Sequence, residues 1–142
     1  MTNTHEKWET VAGFAEKCSW RAGKYLAELM RSDSFRDRER VFAAFDDGIP
    51  AGFCTLTEKD ELAPKYPYTP FIGFVFVDEA HRGRRLSGKM IKKVLEYAKS
   101  IGHRKVYVMS GEKGLYEKFG FIPMGEHETV YGNTEQLFVK GL

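Results

Sequence analysis

Apolar residues along this chain recur with a helical period, then a strand period, then alternate between the two. In the first third, Trp8, Val11, Ala12, Ala15 and Cys18 recur at spacings of three and four, which predicts a helix capped by Asn3 or Thr4. Ser19 is the expected cap of a second helix, with Tyr25, Leu26, Leu29 and Met30 on its inner face. Gly13 and Gly23 weaken both helices. The middle turns to strands. Residues 40–45 and 51–57 are apolar runs separated by Asp46-Asp47-Gly48, and an Asp-Gly between two such runs predicts a hairpin. A charged, proline-rich loop follows from Glu58 to Pro70. Phe71-Ile72-Gly73-Phe74-Val75-Phe76-Val77 is then almost continuously apolar, as expected of a strand buried on both faces. Gly73 is expected to mark a bulge in it.

The clearest helix comes next. Leu86, Met90, Ile91, Val94, Leu95, Ala98 and Ile101 form one stripe, lysines and Glu96 form the opposite face, and Gly102 is the expected left-handed stop. Residues 105–109 make a further strand, so strand, helix and strand form a βαβ unit with near-parallel strands. A short helix over 114–119, closed by Gly120, precedes two final strands at 121–122 and 136–139. The expected fold is α/β, one domain over residues 1–142, with a mixed central sheet flanked by helices on both faces.

Composition adds limits. The chain has 142 residues, a single-domain length, and a formal charge of only +2, which does not by itself suggest nucleic acid. Cys18 and Cys54 fit no metal or redox spacing and read as reduced core thiols. His5, His81, His103 and His127 have no metal-site spacing, so no metal is expected. The polar N-terminus lacks a signal-peptide pattern, and no apolar run approaches the ~20 residues that cross a bilayer. A cytoplasmic protein without membrane contact is the expectation.

Chemistry concentrates between the buried strand and the strong helix, in His81-Arg82-Gly83-Arg84-Arg85-Leu86-Ser87-Gly88. The first backbone N–H groups of a helix have no intrahelical acceptor, and the helix dipole adds positive charge there. Gly83 and Gly88 allow close approach to the backbone, and Arg82, Arg84 and Arg85 supply bidentate donors suited to phosphate. Three cations at a helix N-terminus oppose the dipole, a conflict that a bound anion relieves. An anion site, most plausibly for a pyrophosphate, follows. The spacing is neither Gly-x-Gly-x-x-Gly nor a P-loop.

With these residues the chain resembles the GNAT superfamily of N-acetyltransferases, whose loop motif is Gln/Arg-x-x-Gly-x-Gly/Ala after a buried strand. Val77 to Gly83 matches the strand end and the start of the loop, with Arg82 in the first motif position. Arg85 stands where Gly is usual, and Ser87 where Gly or Ala is usual. Leu115-Tyr116-Glu117-Lys118-Phe119-Gly120-Phe121 is similar to the family's Leu-Tyr-x-Lys-x-Gly-Phe signature. The resemblance covers residues 41 to 125. The family's usual first strand has no counterpart before the N-terminal helices.

The resemblance implies an acetyl-CoA-dependent N-acetyltransferase working by direct attack of an amine in a ternary complex. Pantetheine would bond to the backbone of Val75, Phe76 and Val77, and the strand at 106–109 would splay away to leave a cleft. Acetyl-CoA would also meet Arg82, Gly83, Arg84, Arg85, Leu86, Ser87 and Gly88, with His81 shaping the loop. Tyr116 matches the position that protonates the leaving thiolate. The base stays open among Glu58, Asp60, Glu61 and a water path; Asp78 and Glu79, close to the presumed phosphates, are poorer candidates. Asp60, Glu61, Tyr66 and Tyr68 would suit a cationic acceptor, and a small-molecule amine is favoured over a protein. The resemblance also allows a homodimer. Two rivals are a non-catalytic acyl-CoA sensor, against which Tyr116 argues, and a nucleic-acid binder using Arg82, Arg84, Arg85 and Lys89. Near-neutral charge and the lack of interleaved aromatics argue against the second.

Overall fold

A computed structural model of the chain describes residues 1–82, 85–112 and 114–142. Two helices, α1 (Trp8–Lys17) and α2 (Ala22–Arg31), precede the hairpin β1 (Arg40–Asp46) and β2 (Ile49–Thr57). Then come β3 (Phe71–Val77), a 3-10 turn at Glu79–His81, α3 (Leu86–Ser100), β4 (Lys105–Met109), a second 3-10 turn at Tyr116–Phe119, β5 (Ile122–Glu128) and β6 (Thr134–Gly141). The six strands form one mixed sheet in the order β1-β2-β3-β4-β6-β5. All neighbours are antiparallel except β3 and β4, which α3 joins.

The core lies on both faces of the sheet. Met90, Ile91, Val94 and Ala98 of α3 pack on Cys54, Ile72, Val106 and Phe138. On the other face, α1 and α2 bring Val11, Ala15, Leu26 and Met30 onto Val41, Phe53 and Phe76. Beyond β3 no α-helix covers that face among the described residues. The segment after β2 does so instead, setting Leu62, Tyr66 and Tyr68 over Phe71, Tyr107 and Leu137. Backbone bonds from Ala63 to Glu128 and from Val130 to Glu61 tie this segment to the end of β5.

Several local expectations hold for the stated reason. Asp47 and Gly48 both take positive φ (53° and 80°), as a two-residue hairpin turn requires. Gly102 and Gly120 are left-handed residues closing α3 and the second 3-10 turn. Others need correction. Neither Asn3, Thr4 nor Ser19 caps a helix: α1 starts after Lys7 and α2 after Arg21, both without a side-chain cap. Asn3 instead donates to Asp33, and the Lys7 amide donates to His5 Nδ1. Tyr25 is not on an inner face but is 54% exposed. The last two strands are longer than predicted, because most of β5 and both ends of β6 are polar or exposed and give no apolar run. No strand precedes α1 among the described residues, but the Met1 backbone exchanges both its hydrogen bonds with Val41.

Two backbone positions carry consequences. Gly23 sits where α2 crosses the end of α1, and a Cβ there would lie 2.3 Å from the Ala15 carbonyl oxygen and 2.5 Å from Cys18 Sγ. The glycine that weakens α2 as a helix former is thus what lets the two helices touch. At the start of α3, Arg85 is the N-cap with φ 60° and ψ 28°, a left-handed conformation that costs a side-chain-bearing residue roughly 1 kcal/mol. The Gly-to-Arg departure in the loop motif therefore falls where glycine would be unstrained.

Gly23→Ala is expected to lower unfolding free energy by about 1–3 kcal/mol, because the clash is with backbone; denaturant titration by circular dichroism measures it. Arg85→Gly is expected to raise the thermal midpoint, gaining up to about 1 kcal/mol less the entropy glycine adds to the unfolded chain. A lower midpoint for Arg85→Gly would show that the arginine side chain stabilises this turn by more than its strain.

Candidate active site

β3 and β4 pair at only two positions, Phe71 with Tyr107 and Ile72 with Val108. Beyond them the two strands part. β3 is bent at that point by a bulge: between the pairs Thr55–Gly73 and Phe53–Phe76, β3 advances one residue more than β2. Phe74 absorbs the extra residue with φ 51°. The expected bulge is present, but the strained residue is Phe74 and not Gly73. Phe74 is held by edge and tilted contacts with Trp20 and Tyr25, at 6.2 and 5.9 Å between ring centroids. Gly73 serves a different need, since a Cβ there would lie 3.3 Å from both Asp60 Oδ1 and Thr55 Oγ1.

The divergence opens a cleft of about 1040 Å³. Val75, Phe76 and Val77 of β3 form one wall, and Val108 to Gly111, at the end of β4, form the other. Arg82 and Ser87 lie at the loop end, with Tyr116, Asp60 and Glu61 also lining the cleft. The β4-facing backbone edge of β3 past Ile72 has no strand partner among the described residues. Such an edge accepts an extended ligand through main-chain bonds. Arg82 lies across the strand end: its Nε donates to the Val77 carbonyl at 3.0 Å, and its guanidinium stands 5.9 Å from the Phe76 ring centroid. His81 fixes the start of the loop, with Nδ1 3.3 Å from Asp78 Oδ2 and Nε2 3.3 Å from Asp46 Oδ2.

The remaining loop residues divide. Gly83 and Arg84 lie outside the described residues. Leu86 begins α3 half-buried and lines neither depression. Gly88 faces Phe119, whose ring atoms would lie 3.0 and 3.3 Å from a Cβ. Its lack of a side chain therefore seats the second 3-10 turn against α3. Arg85, Ser87 and Gly88 line a second, largely apolar groove of about 980 Å³ between α3 and the chain's C-terminal residues, with Lys89, Lys118 and Lys140 on it. Ser87 and Leu115 line both depressions, so the two adjoin at the start of α3.

Tyr116 is buried, its ring 5.8 Å from those of Phe121 and Phe138. Burial first, then Cys54, Glu112 and Asp60, hold its phenol well above the ordinary tyrosine range. It stays protonated at neutral pH and can serve as a donor. The same burial pushes the Cys54 thiol up to about 12, so it is inert. Cys18 is only half-buried and bonds to the Ala15 and Trp20 carbonyls.

Carboxylates dominate the other end of the cleft. Asp60, Glu61, Glu112 and Glu135 line it, and Arg82 is its only basic residue among those described. The Glu61 carboxyl is raised by burial and by Glu135, whose carboxyl faces it. Glu58 is not in the cleft: it lies 3.7 Å from Arg36, and its backbone amide donates to Glu39. Tyr66 and Tyr68 are not there either. They stack on one another, and Tyr68 on Tyr107, over the adjoining half of the sheet. Glu112, Glu135 and Trp20, which also lines the cleft, carry no sequence signal. Glu135 is brought in only because β6 inserts between β4 and β5.

Comparison with known proteins agrees with this geometry. An uncharacterized N-acetyltransferase of Methanocaldococcus jannaschii is 32% identical over 128 residues, covering 84% of this chain and 51% of the relative. The chain thus spans about half the length of the curated relative it matches. Among solved structures, an aminoglycoside 6'-acetyltransferase type Ii superposes with a TM-score of 0.74 at 15% identity, covering 99% of this chain and 94% of that one. An aminoglycoside 6'-N-acetyltransferase complexed with coenzyme A gives 0.68 at 14% identity, covering 94% and 89%. A GNAT acetyltransferase of Elizabethkingia anophelis with acetyl-CoA bound gives 0.62 at 18%, covering 79% and 82%. These likenesses show the fold. The profile of the acetyltransferase (GNAT) family matches residues 5–121, and the chain belongs to that family.

Proposed function

We propose that this protein transfers an acetyl group from acetyl-CoA to a small cationic amine, by direct attack in a ternary complex. The observation that carries the reading is the cleft where β3 and β4 part, which brings the open edge of β3 and Tyr116 onto one continuous surface. In this reading pantetheine lies along Val75 to Val77 as an added strand, bonding to main-chain groups. The pyrophosphate meets Arg82, Arg85 and Ser87 at the N-terminus of α3. The nucleotide end continues past Ser87 into the groove carrying Arg85, Lys89, Lys118 and Lys140, whose charges suit its phosphates.

The thioester then lies beside Tyr116. An amine attacks the carbonyl carbon, the C–S bond breaks, and the Tyr116 hydroxyl donates its proton to the departing sulfur. A phenol held above its ordinary pKa is not lost to ionisation at neutral pH. The acceptor enters from the acidic end. Four carboxylates there, with Arg82 the only described basic residue of the cleft, favour a positively charged amine. The two structural neighbours that are aminoglycoside 6'-acetyltransferases, one of them complexed with coenzyme A, fit a small-molecule acceptor.

A thiol-release assay with acetyl-CoA, across polyamines, aminoglycosides and peptides, tests the reading. Tyr116→Phe is expected to lower turnover by about 10–1000-fold while leaving the acetyl-CoA dissociation constant within about twofold. Equal turnover in the variant would remove Tyr116 from the chemistry. Acetyl-CoA binding without CoA release from any amine would instead favour a sensor.

A further inference from the structure

Asp60 lies at the point where β3 separates from β4. The last parallel pair is Ile72 with Val108, and the next β3 residue is Gly73. Because Gly73 has no side chain, the Asp60 carboxyl rests over it, with Thr55 beside it. Asp60 Oδ1 and Thr55 Oγ1 each lie 3.3 Å from the position a Gly73 Cβ would take. Thr55 is fully buried, and its hydroxyl has no hydrogen-bond partner among the described residues. A half-buried acidic group lining a ligand cleft, beside a buried hydroxyl, is costly to maintain without a task.

The other carboxylates are placed less well. Glu58 turns toward Arg36 outside the cleft. Glu61 is exposed and faces Glu135. Glu112 is exposed on the loop before Tyr116. We propose that Asp60 receives the proton that the acceptor ammonium must lose before attacking the thioester. This rests on the acetyl-transfer reading above and assigns its missing base.

The protons balance as follows. The ammonium gives one proton to the Asp60 carboxylate. The freed nitrogen lone pair forms the C–N bond, the C–S bond breaks, and sulfur takes the Tyr116 proton. The second nitrogen proton restores Tyr116, and Asp60 releases its own to solvent through the cleft. One proton is released per turnover, and no further reactant is needed.

The surroundings tune Asp60 for this step. Burial first, then the charge of Glu61 and, more weakly, Glu135, push its pKa up to about 7, against a hydrogen bond from the Glu61 backbone. Tyr116, whose phenol Asp60 helps to hold up, stays neutral beside it. A base with a pKa near working pH combines availability with driving force. Only the carboxylate accepts a proton, so kcat/KM rises with pH through about 7 and then levels.

The experiment compares wild type and Asp60→Asn. Acetyl-CoA binding is measured by calorimetry, and thiol release with putrescine and with kanamycin between roughly pH 5 and pH 9. Asparagine keeps the shape and removes a half-buried charge, so its thermal midpoint at pH 8 should equal or exceed that of wild type. The expected result is acetyl-CoA affinity within about twofold, turnover at neutral pH lower by about 10²–10⁴-fold, and loss of the limb near pH 7. The variant's rate should follow the free-amine fraction upward instead. Asp60→Glu, which keeps a carboxyl, should restore part of the rate together with an acidic limb. A folded Asp60→Asn protein with turnover within about threefold and the same limb overturns the proposal, as does loss of acetyl-CoA affinity equal to the loss of turnover. Wild type that binds no acetyl-CoA contradicts the transferase reading itself. Wild type that binds it but acetylates neither amine contradicts Asp60 as proton acceptor for amines of this class, with the cofactor reading left standing.

Discussion

The structure turns on a failure of pairing. Parallel strands joined by a helix usually continue side by side, yet β3 and β4 share only two residue pairs before they part. Past that point the inner edge of β3 has no strand partner among the described residues and lies along the cleft. An open edge of that kind offers its main-chain groups to a ligand that lies down as a strand. The bulge at Phe74 produces the bend, and its positive φ is the local strain that maintains it. The packing of Trp20 and Tyr25 against Phe74 links the N-terminal helices to this geometry.

Charge is divided along the same opening. The start of α3 and the groove behind it carry arginine and lysine, while the far end of the cleft carries carboxylates from the segment after β2, the loop before Tyr116, and β6. The division follows from topology. The βαβ connection sets a helix N-terminus at one end of the diverging strands. The segment tied to β5 and the inserted β6 deliver Asp60, Glu61 and Glu135 at the other. An anionic cofactor and a cationic acceptor would meet between them.

Features written in neighbouring residues were legible in the sequence. The hairpin at Asp47-Gly48, the stripe of α3, the left-handed Gly102 and the buried run of β3 each follow from local pattern. The loop motif and Leu115-Tyr116 were equally readable, and the odd residue in that motif, Arg85, proved to occupy a left-handed cap. Features that depend on distant partners were not. Asn3, Thr4 and Ser19 are good cap residues by type, but the helices begin elsewhere because packing of Trp8 and Gly23 sets their positions. Gly88 lines the groove beside α3, and its missing side chain also makes room for Phe119, which no local pattern announces. Tyr66 and Tyr68 looked like an acceptor site and are part of an aromatic stack. Glu135 lies 74 positions after Glu61 in the sequence and meets it only through the strand order.

The central claim is that acetyl-CoA lies along the open edge of β3. Amide hydrogen exchange of the whole chain, with and without acetyl-CoA, tests this most directly. The account predicts added protection at residues 74–77 and at the start of α3, with little change in β5. Protection confined to other parts of the chain, with residues 74–77 exchanging as in the free protein, would contradict it.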